Sequence, residues 1–142
     1  MKTVLLVLSL VSTQFLGAQS EIYGSWVGHM RSAKGDYVFT LDILPDKEMG
    51  FGYLKAVAAH NRNGIKEVIE LSGLMYADES IYLVDKGNLD VKVAEGNGFS
   101  RLQFLLKYEG GELVLDGHWQ AYHDFRRYRK GRLVLRKSQR KA

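Results

Sequence analysis

The sequence predicts an all-β domain of about eight strands, antiparallel and connected up and down into a barrel. Three observations carry this. Short segments with apolar residues at every second position recur along the chain, separated by turn signals such as Asn63-Gly64 and Gly110-Gly111. No sustained helical period follows the N-terminal leader, although Gly64 to Leu74 has a superficial helical look. A Gly-x-Trp sits on the first strand, Gly24-Ser25-Trp26, and another on the closing hairpin, Gly117-His118-Trp119. The last regular stretch, Arg132 to Arg136, needs a partner earlier in the chain, and the first strand is the one that closes the sheet.

Residues 1–18 read as an address. Met1-Lys2 is a short positive start, Val4 to Val11 is an almost unbroken apolar run, and Phe15-Leu16-Gly17-Ala18 leads into polar Gln19 and Ser20. This is the pattern of a secretory signal peptide. The run is shorter than the roughly 20 residues that a spanning helix needs, and no other stretch approaches that length, so no transmembrane segment is expected. Cleavage is expected after Ala18, with Ser20 as the alternative. The mature chain, 19–142, is then a single domain with a basic C-terminal tail. It is expected to be secreted across the inner membrane into the periplasm or beyond the cell.

The elements follow in order. Ile22 to Arg31 is the first strand, and Ser32-Ala33-Lys34-Gly35 turns it into Tyr37 to Ile43, where Tyr37, Phe39, Leu41 and Ile43 share a face. Pro45, the only proline, opens the turn Asp46-Lys47-Glu48, and Phe51 to Ala59 is the third strand. Asn61-Arg62-Asn63-Gly64 is a hairpin signal, because Asn and Gly tolerate positive φ. Ile65 to Tyr76 follows, bent at Gly73, and Ala77-Asp78-Glu79 turns it into Ser80 to Asp85. Lys86 to Asn97 reads either as a short strand or as an ordered loop. Phe99 to Tyr108 alternates again, and Gly110-Gly111 returns the chain into Leu113 to Arg136, two strands joined by a basic loop.

The chain has no cysteine, so disulfides, thiolate metal sites, cysteine nucleophiles and lipoprotein anchoring are excluded. An exported domain without bridges must be held by its own core, which favours a bacterial envelope protein over a small disulfide-stapled module. His29, His60, His118 and His123 lack the paired spacing of a zinc site, and no cofactor is expected. Asp116 and His118 lie two apart on one strand face, without a serine that the sequence assigns to them. A non-catalytic protein is expected.

Gly24-Ser25-Trp26, the strand count and the arginine-rich last strand resemble the calycin group: lipocalins, fatty-acid-binding proteins and avidins. The resemblance implies an up-and-down barrel in which Trp26 packs against an Arg or Lys from near the last strand, by position Arg132 or Arg136. Such a contact is a cation–π pair that locks the closing strand to the opening one. The chain also resembles small exported β-rich proteins of Gram-negative bacteria with a Gly-x-Trp strand at each end, which implies an architecture and no chemistry.

Two functional readings stand. In the first, Trp26, Tyr53, Phe104 and Trp119 line a cavity for a small apolar or aromatic molecule, with room left by Gly24, Gly28 and Gly117. The same residues also read as a packed core whose glycines let coiled strands bend. In the second, the basic run from Arg126 to Lys141, which holds almost half of the 20 Lys and Arg residues, docks on an anionic surface. Arg126, Arg127, Arg129 and Lys130 would make the contacts, and lipopolysaccharide, anionic lipid or acidic glycan are the partners its compartment offers. Nucleic acid is not expected as the partner of an exported protein.

Overall fold

The computed structural model describes residues 21–32, 35–62, 64–85, 101–124 and 127–138. The predicted signal peptide, the segment Lys86 to Asn97, Arg126 and the tail beyond Ser138 lie outside them. Eight strands form a closed antiparallel barrel in which every neighbour in sequence is a neighbour in space. They are β1 (Gly24–Ser32), β2 (Gly35–Pro45), β3 (Tyr53–Arg62), β4 (Ile65–Met75), β5 (Ser80–Asp85), β6 (Arg101–Glu109), β7 (Glu112–Asp124) and β8 (Arg127–Lys137). The first strand begins at Gly24, not at Ile22 as expected, and residues 21 and 22 are helical.

Turn chemistry sets the register. Gly110 and Gly111 both hold positive φ, the requirement of a two-residue hairpin turn, and they place Glu109 opposite Glu112. At the β2–β3 turn the buried Asp46 accepts hydrogen bonds from the backbone N–H groups of Glu48 and Met49, 3.2 and 3.3 Å away. Pro45 is the last residue of β2, not the opening of the turn.

The period-two pattern decides which face is inside. Trp26, Phe39, Leu41, Ile43, Leu54, Leu83, Leu102, Leu115 and Leu135 have no solvent exposure and form one core with Phe104, Trp119 and Leu133. The outward face carries polar or charged side chains on every strand, together with exposed apolar ones such as Val38, Leu44 and Val68. Among the described residues, no helix is long and apolar enough to cross a membrane.

Closure is uneven. β1 pairs with β2 along its whole length, from Gly24↔Ile43 to Ser32↔Gly35, whereas it pairs with β8 only at Trp26↔Lys137, Val27↔Arg136 and Gly28↔Leu135. One backbone hydrogen bond, from Ser138 N–H to the Ser25 carbonyl at 2.8 Å, extends this seam at its lower end. Beyond Gly28 the two strands run on without ladder pairs among the described residues.

Candidate functional site

The two ends of the barrel differ in chemistry. At the end where β1 starts and β8 finishes, Trp26 is fully buried and its indole Nε1–H donates to the Ile22 carbonyl at 2.9 Å. The Lys137 ammonium lies 5.5 Å from the centre of the Trp26 ring and donates to the Glu21 carbonyl. Tyr108 Oη–H donates to the Glu21 carboxylate at 2.9 Å. Together these groups make a floor. Burial pushes the Lys137 ammonium below its ordinary value, and the Glu21 charge opposes that shift.

The cation on Trp26 is therefore Lys137, not Arg132 or Arg136. Alternation explains the correction. Leu133 and Leu135 face inward, so Lys137 shares their face while Arg132 and Arg136 point out. Arg132 reaches Asp116 at 3.1 Å, and Arg136 reaches Glu112 at 3.0 Å.

The opposite half of the barrel brings polar groups to the inward face. His60 is buried, and its Nε2 lies 2.7 Å from a Glu67 carboxylate oxygen. The two residues are direct cross-strand partners on β3 and β4. Tyr37 on β2 packs near the imidazole, ring centres 6.1 Å apart. Trp119, on β7 in the same half, lays its indole over Gly131 of β8. A Cβ at Gly131 would sit 2.4 Å from Trp119 Nε1. That N–H is buried and, among the described residues, has no hydrogen-bond partner. A buried donor left without an acceptor costs roughly 1–3 kcal/mol, so it is an exception that calls for an occupant or a role.

The sequence-predicted cavity residues thus separate. Trp26 belongs to the floor, Phe104 to the packed core, and Trp119 to the polar half. Tyr53 does not face inward with them. It is half-buried on the opposite face from Leu54, Ala56 and Ala58, and Phe51 lies exposed in the preceding turn. Both alternating sets on this strand contain apolar residues, and Lys55, on the face of Tyr53, marks which set is outside. Gly28 and Gly117 do not leave room. A Cβ at Gly28 would lie 2.3 Å from the Val134 carbonyl oxygen, and one at Gly117 would lie 1.7 Å from that of Gln103.

His29 and His118 are exposed, as their strand positions predict, but His60 is not. The signal for His60 was present: the Asn63-Gly64 hairpin pairs Arg62 with Ile65, which sets His60 against Glu67 on the face of Ala56 and Ala58. Among the described residues, no group of three or more His, Asp or Glu is placed to hold a metal ion.

The basic run also separates. Arg132 and Arg136 are spent on acidic partners, and Asp116 takes a second cation, Lys107, at 3.1 Å. The Arg132 hydrogen bond is the main cause that holds the Asp116 carboxyl below its ordinary range. Arg127 and Arg129 lie on the first residues of β8, at the barrel end remote from the floor, and Lys130 beside them is exposed.

No family model, no curated protein and no solved structure matches the chain.

Proposed function

We propose that this chain is an exported, non-catalytic binding protein of calycin type. Its barrel takes a small, mainly apolar molecule in the half remote from the Trp26–Lys137 floor, and that molecule accepts a hydrogen bond from Trp119. The observation that carries the reading is the buried Trp119 Nε1–H, which has no acceptor among the described residues, in the half where Tyr37, His60 and Glu67 also turn inward. Apolar pockets with a few placed polar groups are the usual form of a small-molecule site, and an unpaired donor in such a place favours ligands that satisfy it. The floor fixes one end of the barrel, so access belongs to the other.

A pair of near-isosteric probes tests this: 2-acetylnaphthalene, which carries a carbonyl acceptor, and 2-ethylnaphthalene, which does not. Calorimetry is expected to show the ketone binding more tightly by about tenfold, the worth of one buried hydrogen bond. The two indole N–H resonances give a second readout, with that of Trp119 shifting and that of Trp26 staying. Trp119→Phe keeps the ring volume nearly intact and should remove the preference for the ketone. If neither probe binds, or if the preference survives in Trp119→Phe, the reading is wrong.

A further inference from the structure

The outer wall of β1 to β4 carries an apolar face that the strand register assembles. Its middle row runs Val27, Thr40, Ala59, Val68 and holds no charge. Val38 extends the apolar surface in the row farther from the floor, and Val57 extends it in the row nearer to it. Val68 and Val38 are 58% and 49% exposed, and Val27 and Val57 are also open to solvent. The Thr40 hydroxyl donates to the Ala59 carbonyl oxygen at 3.4 Å, so its polar group is turned back onto the sheet. A contiguous set of this kind, unlike scattered single residues, marks a docking face.

Charge at the margins says what covers it. Lys66 and Glu70 stand on β4 two positions either side of Val68, in the far and near rows respectively. Both are exposed, and among the described residues neither has an ion-pair partner. The other charges around the face are engaged. Asp42 accepts a hydrogen bond from Ser25 beside it, and Arg136, across the seam from Val27, reaches Glu112. A face with a free cation on one margin and a free anion on the opposite one is complementary to itself turned over. A twofold axis along the middle row lays it on a second copy with the strands antiparallel. Val68 then meets Val68, and Lys66 of each copy meets Glu70 of the other, so the pair forms twice. A lipid surface or a charged polymer, with one sign of charge, matches only one margin.

We propose that two copies of this chain associate through the β1–β4 wall, with Val68 on the twofold axis and the reciprocal Lys66–Glu70 pairs fixing the orientation. Four strands about 4.8 Å apart crossed by three rows cover roughly 400 Å² per copy, at the small end for a specific contact, so the dimer is a weak one. The interior reading is not involved, because these side chains point away from the core.

Sedimentation velocity of the purified chain from about 10 μM to about 1 mM tests this, and the unaltered protein should pass from monomer to dimer. Lys66→Glu and Glu70→Lys each set like charges against each other twice, and each alone should dimerise at least about tenfold more weakly. An equimolar mixture of those two variants restores opposite charges at both places and should dimerise as the unaltered protein does. Val68→Ser should also weaken the dimer about tenfold. All three positions are exposed, so the variants should keep the fold, which thermal melts check. A monomer at the highest concentration overturns the proposal and leaves the face to a partner of another kind. It is also overturned if Lys66→Glu alone dimerises as tightly as the unaltered protein, or if the mixture recovers nothing.

Discussion

At the scale of single residues, Lys137 and Asp116 show how strand phase decides what a charge does. Lys137 faces inward at the end of β8 and covers Trp26, whereas Arg132 and Arg136, one strand face away, satisfy carboxylates outside. Lys137→Ala should therefore destabilise the protein by about 1–2 kcal/mol, the range of a partly desolvated cation–π contact, and by more than Arg132→Ala or Arg136→Ala in the same urea titration. Equal losses for all three would remove Lys137 from its special position. Asp116 makes the pH-dependent case. Its folded-state carboxyl titrates below the ordinary 3.8, chiefly through the Arg132 hydrogen bond, so its contribution is complete above that value and disappears as pH falls through the lowered one. Asp116→Asn should cost about 1 kcal/mol at neutral pH and make the stability profile flatter below pH 3.8 than that of the unaltered chain. A parallel acid profile for the two proteins would contradict the assignment.

Elements were legible in the sequence where turn chemistry and alternation agreed, and obscure where they did not. Gly110-Gly111 fixed one hairpin, Asn63-Gly64 another, and the face of Phe39, Leu41 and Ile43 was plain because its alternate residues are polar or only moderately apolar. On β3 the alternation carries apolar residues on both faces, so the sequence points Tyr53 inward and only Lys55 marks its face as the outer one. His60 was missed because an isolated histidine carries no sign of burial until its cross-strand partner is identified. The short helical entry at 21–22 overlaps the predicted strand at Ile22, because Ile22 and Tyr23 are apolar and aromatic, and the Trp26 indole reaching back to the Ile22 carbonyl holds the turn. Gly117 was read correctly as a glycine beside a tryptophan but with two meanings open. The close passage of β6 decides for curvature over space, because any side chain there meets the Gln103 carbonyl. Gly117→Ala should cost roughly 3 kcal/mol, the upper end for forcing atoms into a filled site. Thermal unfolding would show this as a fall of about 10 °C. A change of a degree or two would mean that the wall yields there.

At the scale of the whole molecule, the barrel was predictable from its strand count and paired ends, while its interior was not, because side-chain volume and strand coiling together decide what is left between eight strands. The seam between β1 and β8 was also beyond the sequence. Its ladder stops after Gly28, so the β8-facing amides among His29, Met30 and Arg31 should exchange with solvent deuterium well before those of Trp26 to Gly28. Uniform protection along β1 would show that the seam is closed throughout.

The cover over Trp26 comes from both extremes of the described chain: Ile22 four residues before it, and Lys137, which is 116 residues beyond the Glu21 carbonyl that it grips. A growing polypeptide therefore carries an uncapped indole through nearly all of its synthesis. The hairpins can form as they emerge, but the cylinder cannot be sealed until the final strand has been delivered. A product cut short before β8 would remain an open, curved sheet, recognisable to quality-control proteases by the edge it leaves unpaired.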